Sequence, residues 1–180
     1  MPARAHERAK ALDGGIEQSL AGLALPSVRD SFAQIRAYLQ WQDAALGHGN
    51  SVPQILKKEP KDDLTFITLG PSFDKGPTDS HFYLESGSRL SFFVELREGN
   101  GRCSLVRYRF QLNLPESQSP SFYRFDLNEK AHERPLIEPR CHYHLGVDNV
   151  RLPCPVLTPL EVSDRIFLVI EPQLLGAVEL

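Results

Sequence analysis

Four consecutive stretches of the chain alternate polar and apolar residues in the same phase, and this alternation constrains the fold more than any other feature. They run from Arg89 to Arg97, Arg102 to Leu112, Phe122 to Leu127 and Arg140 to Leu145. Because side chains two apart on a strand point to the same face, each stretch predicts a strand with one apolar and one polar side. We therefore expect a sheet whose apolar side is buried and whose polar side is open to solvent.

Turn signals around these stretches favour an antiparallel sheet. Asn100 and Gly101 separate the first two strands and are a strong hairpin signal. The polar link 115–121 predicts a second hairpin, and the apolar run from Leu64 to Leu69 predicts one further short strand. Glycine and proline residues make 47–63 a predicted connector.

Apolar residues at helical spacing predict an amphipathic helix before the sheet. Pro26 offers its first helical position. The apolar positions that follow are Val28, Phe32, Ile35, Leu39 and Leu46.

A capping box predicts a second helix near the C-terminus. Thr158 occupies the N-cap position, Pro159 the first helical position and Glu161 the third, and Pro172 predicts the helix end. The chain is thus expected to form one α+β domain over residues 1–180. We expect a helical segment in 1–46, and in 64–170 an antiparallel meander of about five strands with the C-terminal helix, all helices packing on one face of the sheet.

Composition excludes several classes of protein. A net charge of −3 argues against a surface that is basic overall, so a nucleic-acid site would have to be local. The sequence has no apolar run of the roughly 20 residues that cross a membrane and no glycine-rich phosphate loop. The basic residues near Met1 lack an apolar stretch behind them, so we expect no secretory signal. Cys103, Cys141 and Cys154 lack CxxC spacing and indicate core thiols in a reducing compartment, so we expect a cytoplasmic protein.

The polar side of the four strands collects the groups that phosphodiester chemistry needs. His142 and His144 share one face of a strand, and imidazoles can donate or accept protons near neutral pH. Guanidinium groups suit phosphate oxygens, and the arginines of this side are Arg107, Arg109, Arg124 and Arg140. This pattern predicts a metal-independent ribonuclease in which both histidines transfer protons, Asp126 orients an imidazole or an arginine, and the arginines bind phosphate, Arg124 and Arg140 foremost.

Two other interpretations of these residues remain open. The arginines could form ordinary surface ion pairs with Glu95 and Asp126. Alternatively, His142 and His144 could bind a metal ion together with one of these carboxylates and with His132.

The C-terminal half, from about Leu105 to Ile170, resembles small transposon- and island-encoded toxins of the TumE type. The resemblance is carried by a strand that ends in arginine, an aromatic residue and aspartate, then by a loop, a histidine motif after a proline, and a helix. The matching residues are Arg124, Phe125, Asp126, Pro139, His142, His144 and Pro159. The resemblance implies a toxin-like protein that targets RNA or the translation machinery and has a helix-turn-helix antitoxin as partner.

A different class of function is compatible with the same chain. It could be a non-catalytic subunit of a mobile-element or phage-defence complex, in which the helix that contains Phe32, Leu39 and Trp41 docks on a larger protein. The basic face would then bind a partner or nucleic acid.

Overall fold

The computed structural model describes residues 14–23, 25–47, 49–70, 81–99, 102–128 and 139–176. His132, which is a candidate metal ligand, and the predicted turn residues Asn100 and Gly101 lie outside the described residues.

Eight strands form one antiparallel sheet in the described part of the chain. They are β1 (Leu56–Lys61), β2 (Leu64–Leu69), β3 (Phe82–Tyr83), β4 (Arg89–Gly99), β5 (Arg102–Asn113), β6 (Phe122–Leu127), β7 (Cys141–Leu145) and β8 (Leu152–Pro153). The strand order is β1-β2-β4-β5-β6-β7-β8, and β3 also pairs with β4. The α+β class and the antiparallel sheet are confirmed, but the sheet has more strands than the five expected.

The strand β1 shows why the sheet is larger than expected. It lies within the predicted connector, contains Pro60 and buries only Leu56, so it has no alternating pattern. Among the described residues, it pairs only with β2. An edge strand tolerates proline and charge because one of its sides makes no ladder hydrogen bonds.

A bulge in β5 sets which of its residues face the polar side. Glu95 pairs with Arg107, whereas Leu96 pairs with Leu105, so Val106 is the extra residue. The expected alternation holds from Arg107 onward and reverses before the bulge.

The helices are α1 (residues 14–22), α2 (Val28–Leu46), α3 (Val52–Ile55), α4 (Pro159–Asp164) and α5 (Glu171–Gly176), with a π-helical segment at Arg165–Ile170 between the last two. Pro26 is not the first residue of α2, because the hydroxyl of Ser27 accepts a hydrogen bond from the N–H of Asp30 and makes Ser27 the N-cap. Among the described helices, none is long and apolar enough to cross a membrane.

The capping box before α4 is confirmed, but the helix does not end at Pro172. Thr158 Oγ1 accepts from the N–H of Glu161, and Glu161 Oε2 accepts from the N–H of Thr158. The N–H of Glu171 then donates to the carbonyl of Ile166, five residues earlier, and the chain continues as α5 through Pro172. The change from π-helical to α-helical geometry thus occurs directly before Pro172, which has no N–H to donate.

The apolar side of the sheet packs against α2 and the C-terminal helices. Phe92 and Phe110 stack at 4.6 Å between ring centroids, and Phe167 of the π-helical segment contacts Phe82 at 5.7 Å. Other members of this core are Val28, Ile35, Leu39, Leu90, Val94, Leu96, Val162 and Ile166. The polar side chains therefore collect on the opposite face.

Candidate functional site

Three adjacent strands bring polar candidates together in two rows. In the first row, Arg109 of β5 lies opposite Asp126 of β6, and Asp126 lies opposite His142 of β7. In the second row, Arg124 of β6 lies opposite His144 of β7. Residues two apart share a face, so both rows lie on the same side. We call these five residues the imidazole cluster.

Asp126 is the centre of the imidazole cluster. Its Oδ1 accepts a hydrogen bond from Arg109 Nε at 2.9 Å, and its Oδ2 accepts one from Arg124 Nε at 2.8 Å. The residue is only 3% exposed. A carboxylate is buried at such a cost in solvation that it needs charged partners, and here two guanidinium groups supply them.

The hydrogen-bond partners of the two imidazoles define their tautomers. His142 Nδ1 lies 2.6 Å from the carbonyl oxygen of Pro139, and His144 Nδ1 lies 3.2 Å from that of Val147. A carbonyl oxygen can only accept, so Nδ1 carries the proton in both rings. In the neutral form each Nε2 therefore holds a lone pair.

Both Nε2 atoms face the Asp126 carboxylate. His144 Nε2 lies 3.3 Å from Asp126 Oδ2 and accepts from Arg124 Nη2 at 2.9 Å. His142 Nε2 lies 3.7 Å from the same carboxylate oxygen. Burial lowers the pKa of His142 to about 4, and burial together with Arg124 lowers the pKa of His144. Both rings are therefore neutral at pH 7.

The expectation that the polar side is open to solvent is wrong for much of it. Buried residues on the polar side include Glu95, Asp126, Arg140, His142 and His144. Ion pairs offset the burial of the charged residues, and carbonyl groups from outside the strands complete the hydrogen bonds of the imidazoles. Arg107 and Arg109 of this side do reach solvent, with side chains 42% and 35% exposed.

Every predicted arginine has a carboxylate partner. Arg107 Nε donates to Glu95 at 2.6 Å, and Arg124 Nη1 donates to Asp148 at 2.5 Å. Arg140 donates to Glu17 of α1 and to the carbonyl of Asn128, so its hydrogen bonds lead away from the imidazole cluster. The ion-pair interpretation thus describes the observed contacts, and this side is not a bare cationic surface.

The imidazole cluster also contains a potential set of metal ligands. Asp126, His142 and His144 each offer one ligand atom, and these atoms lie within 4.8 Å of one another. Two imidazoles and one carboxylate suit transition metals, and ligating imidazoles commonly donate Nδ1–H to a carbonyl. However, Arg124 donates to both Asp126 and His144, so a divalent cation would have to displace it. Glu95, the other candidate carboxylate, pairs with Arg107 instead.

The predicted partner-binding residues are split between core and surface. Leu39 is buried in the core of this chain and Phe32 is half-buried, with Arg36 and Lys58 over its ring at 5.9 and 5.8 Å. Trp41 is 61% exposed. Of the three, Trp41 is therefore the side chain most available to a partner.

Sequence reasoning missed the segment that follows β7. Val147 supplies its carbonyl to His144, and Asp148 pairs with Arg124 although its side chain is 75% exposed. The available signal was Gly146, which has a φ of 69° and allows a tight turn directly after the histidines. Carbonyl contacts could not be inferred because any residue type can supply them.

Comparisons with protein-family models, curated proteins and solved structures found no match. The resemblance to TumE-type toxins therefore stays a prediction.

Proposed function

We propose that the chain is a toxin-like protein that cleaves RNA without a metal ion, and that the imidazole cluster is its catalytic centre. The observation that carries this proposal is the pair of neutral imidazoles directed by Nε2 towards one carboxylate that two guanidinium groups hold. A neutral imidazole is a base for a ribose hydroxyl, and guanidinium groups stabilise the charge on the phosphate. The TumE resemblance implies the same class of target.

Entry of the phosphate requires a partner exchange at Arg124. Asp148 is largely exposed, and exposed ion pairs contribute at most about 1 kcal/mol. A phosphate group offers several oxygens in its place and matches the guanidinium fork. We expect an incoming phosphate to replace Asp148 on Arg124 Nη1, while Arg109 on the next strand binds the same or a neighbouring phosphate.

This exchange gives the two histidines different roles. His142 Nε2 lies next to Asp126, which stabilises the imidazolium once the ring has taken the proton of the ribose hydroxyl. His144 Nε2 accepts from Arg124 until that arginine turns towards the phosphate. The bound anion then favours protonation of His144, which supplies the proton for the leaving oxygen.

The test is cleavage of a single-stranded RNA labelled with a fluorophore and a quencher, in the presence of EDTA. His142→Gln and His144→Gln should each lower the rate at least about a hundredfold while far-UV circular dichroism stays unchanged. Arg97→Gln is the control, since Arg97 forms an exposed ion pair with Asp63 and should leave the rate unchanged. Loss of parental cleavage in EDTA, or parental rates in both histidine variants, would contradict the proposal.

A second candidate function is docking on a larger protein, and the exposure of Trp41 favours it. Trp41 lies beside Tyr38, whose ring contacts Phe167 at 5.8 Å, and the next residue, Leu168, is also exposed. Exposed apolar side chains thus occur on both α2 and the π-helical segment. Co-expression with a helix-turn-helix antitoxin or a larger defence protein should give a complex that Trp41→Ala weakens and Gln40→Ala does not. Equal effects of the two variants, or no complex, would count against this function.

A further inference from the structure

Cys141 and Cys154 face each other across the two strands at one edge of the sheet. His142 pairs with Pro153 and Tyr143 pairs with Leu152, and the same register places Cys141 opposite Cys154. The N–H of Cys154 donates to the carbonyl of Cys141, and the two Sγ atoms are 3.3 Å apart. The thiols are therefore in direct contact.

This placement matches what a disulfide requires. Opposite residues on antiparallel strands have Cα atoms about 4.5–5.5 Å apart, within the range of about 4.4–6.8 Å found for disulfides. The sulfur atoms would have to approach only from contact distance to a bond of about 2.05 Å. Bond formation thus needs no movement of β7 relative to β8.

The two sulfur atoms differ in their contacts and exposure. Cys141 Sγ donates to the carbonyl oxygen of Pro155 at 3.1 Å and lies 3.8 Å from the hydroxyl oxygen of Tyr108. Cys141 is buried, whereas Cys154 is half-buried, so a small oxidant reaches the pair from the side of Cys154. Whichever thiol is oxidised first has the other within contact distance.

We propose that Cys141 and Cys154 form a reversible disulfide when the protein meets hydrogen peroxide. This modification site is distinct from the proposed RNA cleavage. One of the two sulfurs, as the thiolate, attacks one peroxide oxygen and the O–O bond breaks. The released hydroxide takes the proton that this thiol gave up, so that water and a sulfenic acid form. The other sulfur then attacks the oxidised sulfur, the S–O bond breaks, and the leaving hydroxide takes the proton of the second thiol. Two thiols are oxidised and one peroxide is reduced to two waters.

The third cysteine provides a matched internal control. Cys103 is also buried, but it lies on β5 opposite Glu98 of β4. Burial and then Glu98 raise its pKa, which makes it a poor nucleophile. Peroxide should therefore leave Cys103 as a free thiol.

The experiment treats the folded, full-length protein with hydrogen peroxide and follows it by intact mass and by peptide mapping without reduction. We expect the loss of two hydrogen atoms, one cross-linked peptide pair that joins Cys141 to Cys154, full reversal by dithiothreitol and the same result in Cys103→Ser. In Cys154→Ser the cross-link should be absent and a sulfenic-acid probe should label Cys141. Free thiols at both positions, or a cross-link to Cys103, would overturn the proposal.

Discussion

Replacing Asp126 by asparagine tests whether burial, rather than contact distance, decides what an ion pair contributes to this fold. Asp126 and Asp63 each accept from an arginine Nε at 2.9 Å. Asp126 is 3% exposed, however, while the side chains of Asp63 and its partner Arg97 are 60% and 48% exposed. Asp63→Asn is therefore a matched control with the same chemical change and the same initial distance.

The expected loss in free energy of unfolding follows from the contacts of the two carboxylates. Removing one partner of a buried ion pair costs about 3–5 kcal/mol, and an exposed pair contributes at most about 1 kcal/mol. After the change Arg109 is still partly solvated and Arg124 still has Asp148 as an ion-pair partner, which limits the cost. We therefore expect Asp126→Asn to lower the free energy of unfolding by about 3 kcal/mol. For a chain of this size the melting temperature should fall by about 6–12 °C.

The measurement is urea unfolding at pH 7, followed by far-UV circular dichroism. The fluorescence of the single tryptophan, Trp41, is a poor probe because its side chain is already mostly exposed. Added salt should reduce the small effect of Asp63→Asn and leave the effect of Asp126→Asn nearly unchanged. Free energies of unfolding that agree within about 0.5 kcal/mol for the two variants would refute the reasoning.

Three further changes test other parts of the structure. Because His142 has a pKa of about 4 when folded and about 6.5 when unfolded, only the unfolded chain takes up its proton as the pH falls. The free energy of unfolding should thus be undiminished above pH 6.5 and fall by up to about 3 kcal/mol towards pH 4. Urea titrations should show a shallower fall with pH for His142→Gln than for the parent. Equal falls in the two proteins would contradict this. Gly146→Ala should cost more than about 1 kcal/mol in thermal melts, because φ is 69° and the new Cβ would lie 2.7 Å from Pro120 Cβ, whereas Gly22→Ala in α1 should be neutral or stabilising. Arg124→Met removes the cation next to the potential metal ligands, so calorimetry should show zinc binding at least about tenfold tighter than in the parent, and equal affinities would refute this.

Residue patterns predicted those parts of the fold that follow from local periodicity and capping. The run Leu64–Leu69 forms β2, and the capping box at Thr158 begins α4 as expected. Alternation also placed Arg124, Asp126, His142 and His144 on one face, because strand pairing preserves the period of two. β1 could not be identified, since as an edge strand it needs no apolar alternation.

Burial of the polar face could not be read from the same pattern. Alternation separates two sides of a strand, but it does not say what covers the polar one. The hydrogen bonds that satisfy the buried imidazoles come from the carbonyls of Pro139 and Val147, and those that satisfy Asp126 come from arginines on two strands. A polar residue and a buried polar residue look alike in sequence, and only tertiary partners distinguish them.

The charge balance of the imidazole cluster limits how it can recognise RNA. With neutral imidazoles, Arg109 and Arg124 are matched by Asp126 and Asp148, and the whole chain has a net charge of −3. The cluster gains a net positive charge only when the exposed Asp148 leaves Arg124. RNA can therefore form ion pairs between its phosphates and at most about two arginines, Arg109 and Arg124.

Binding should therefore depend weakly on salt, with a slope of about −1.4 in a plot of log affinity against log salt concentration for single-stranded RNA. Asp148→Asn removes the competing carboxylate and should tighten RNA binding in fluorescence anisotropy, whereas Asp63→Asn should not. A steep salt dependence, or unchanged affinity in Asp148→Asn, would mean that RNA binds elsewhere on the protein. At the imidazole cluster a phosphate can bind Arg124 only after Asp148 has left it.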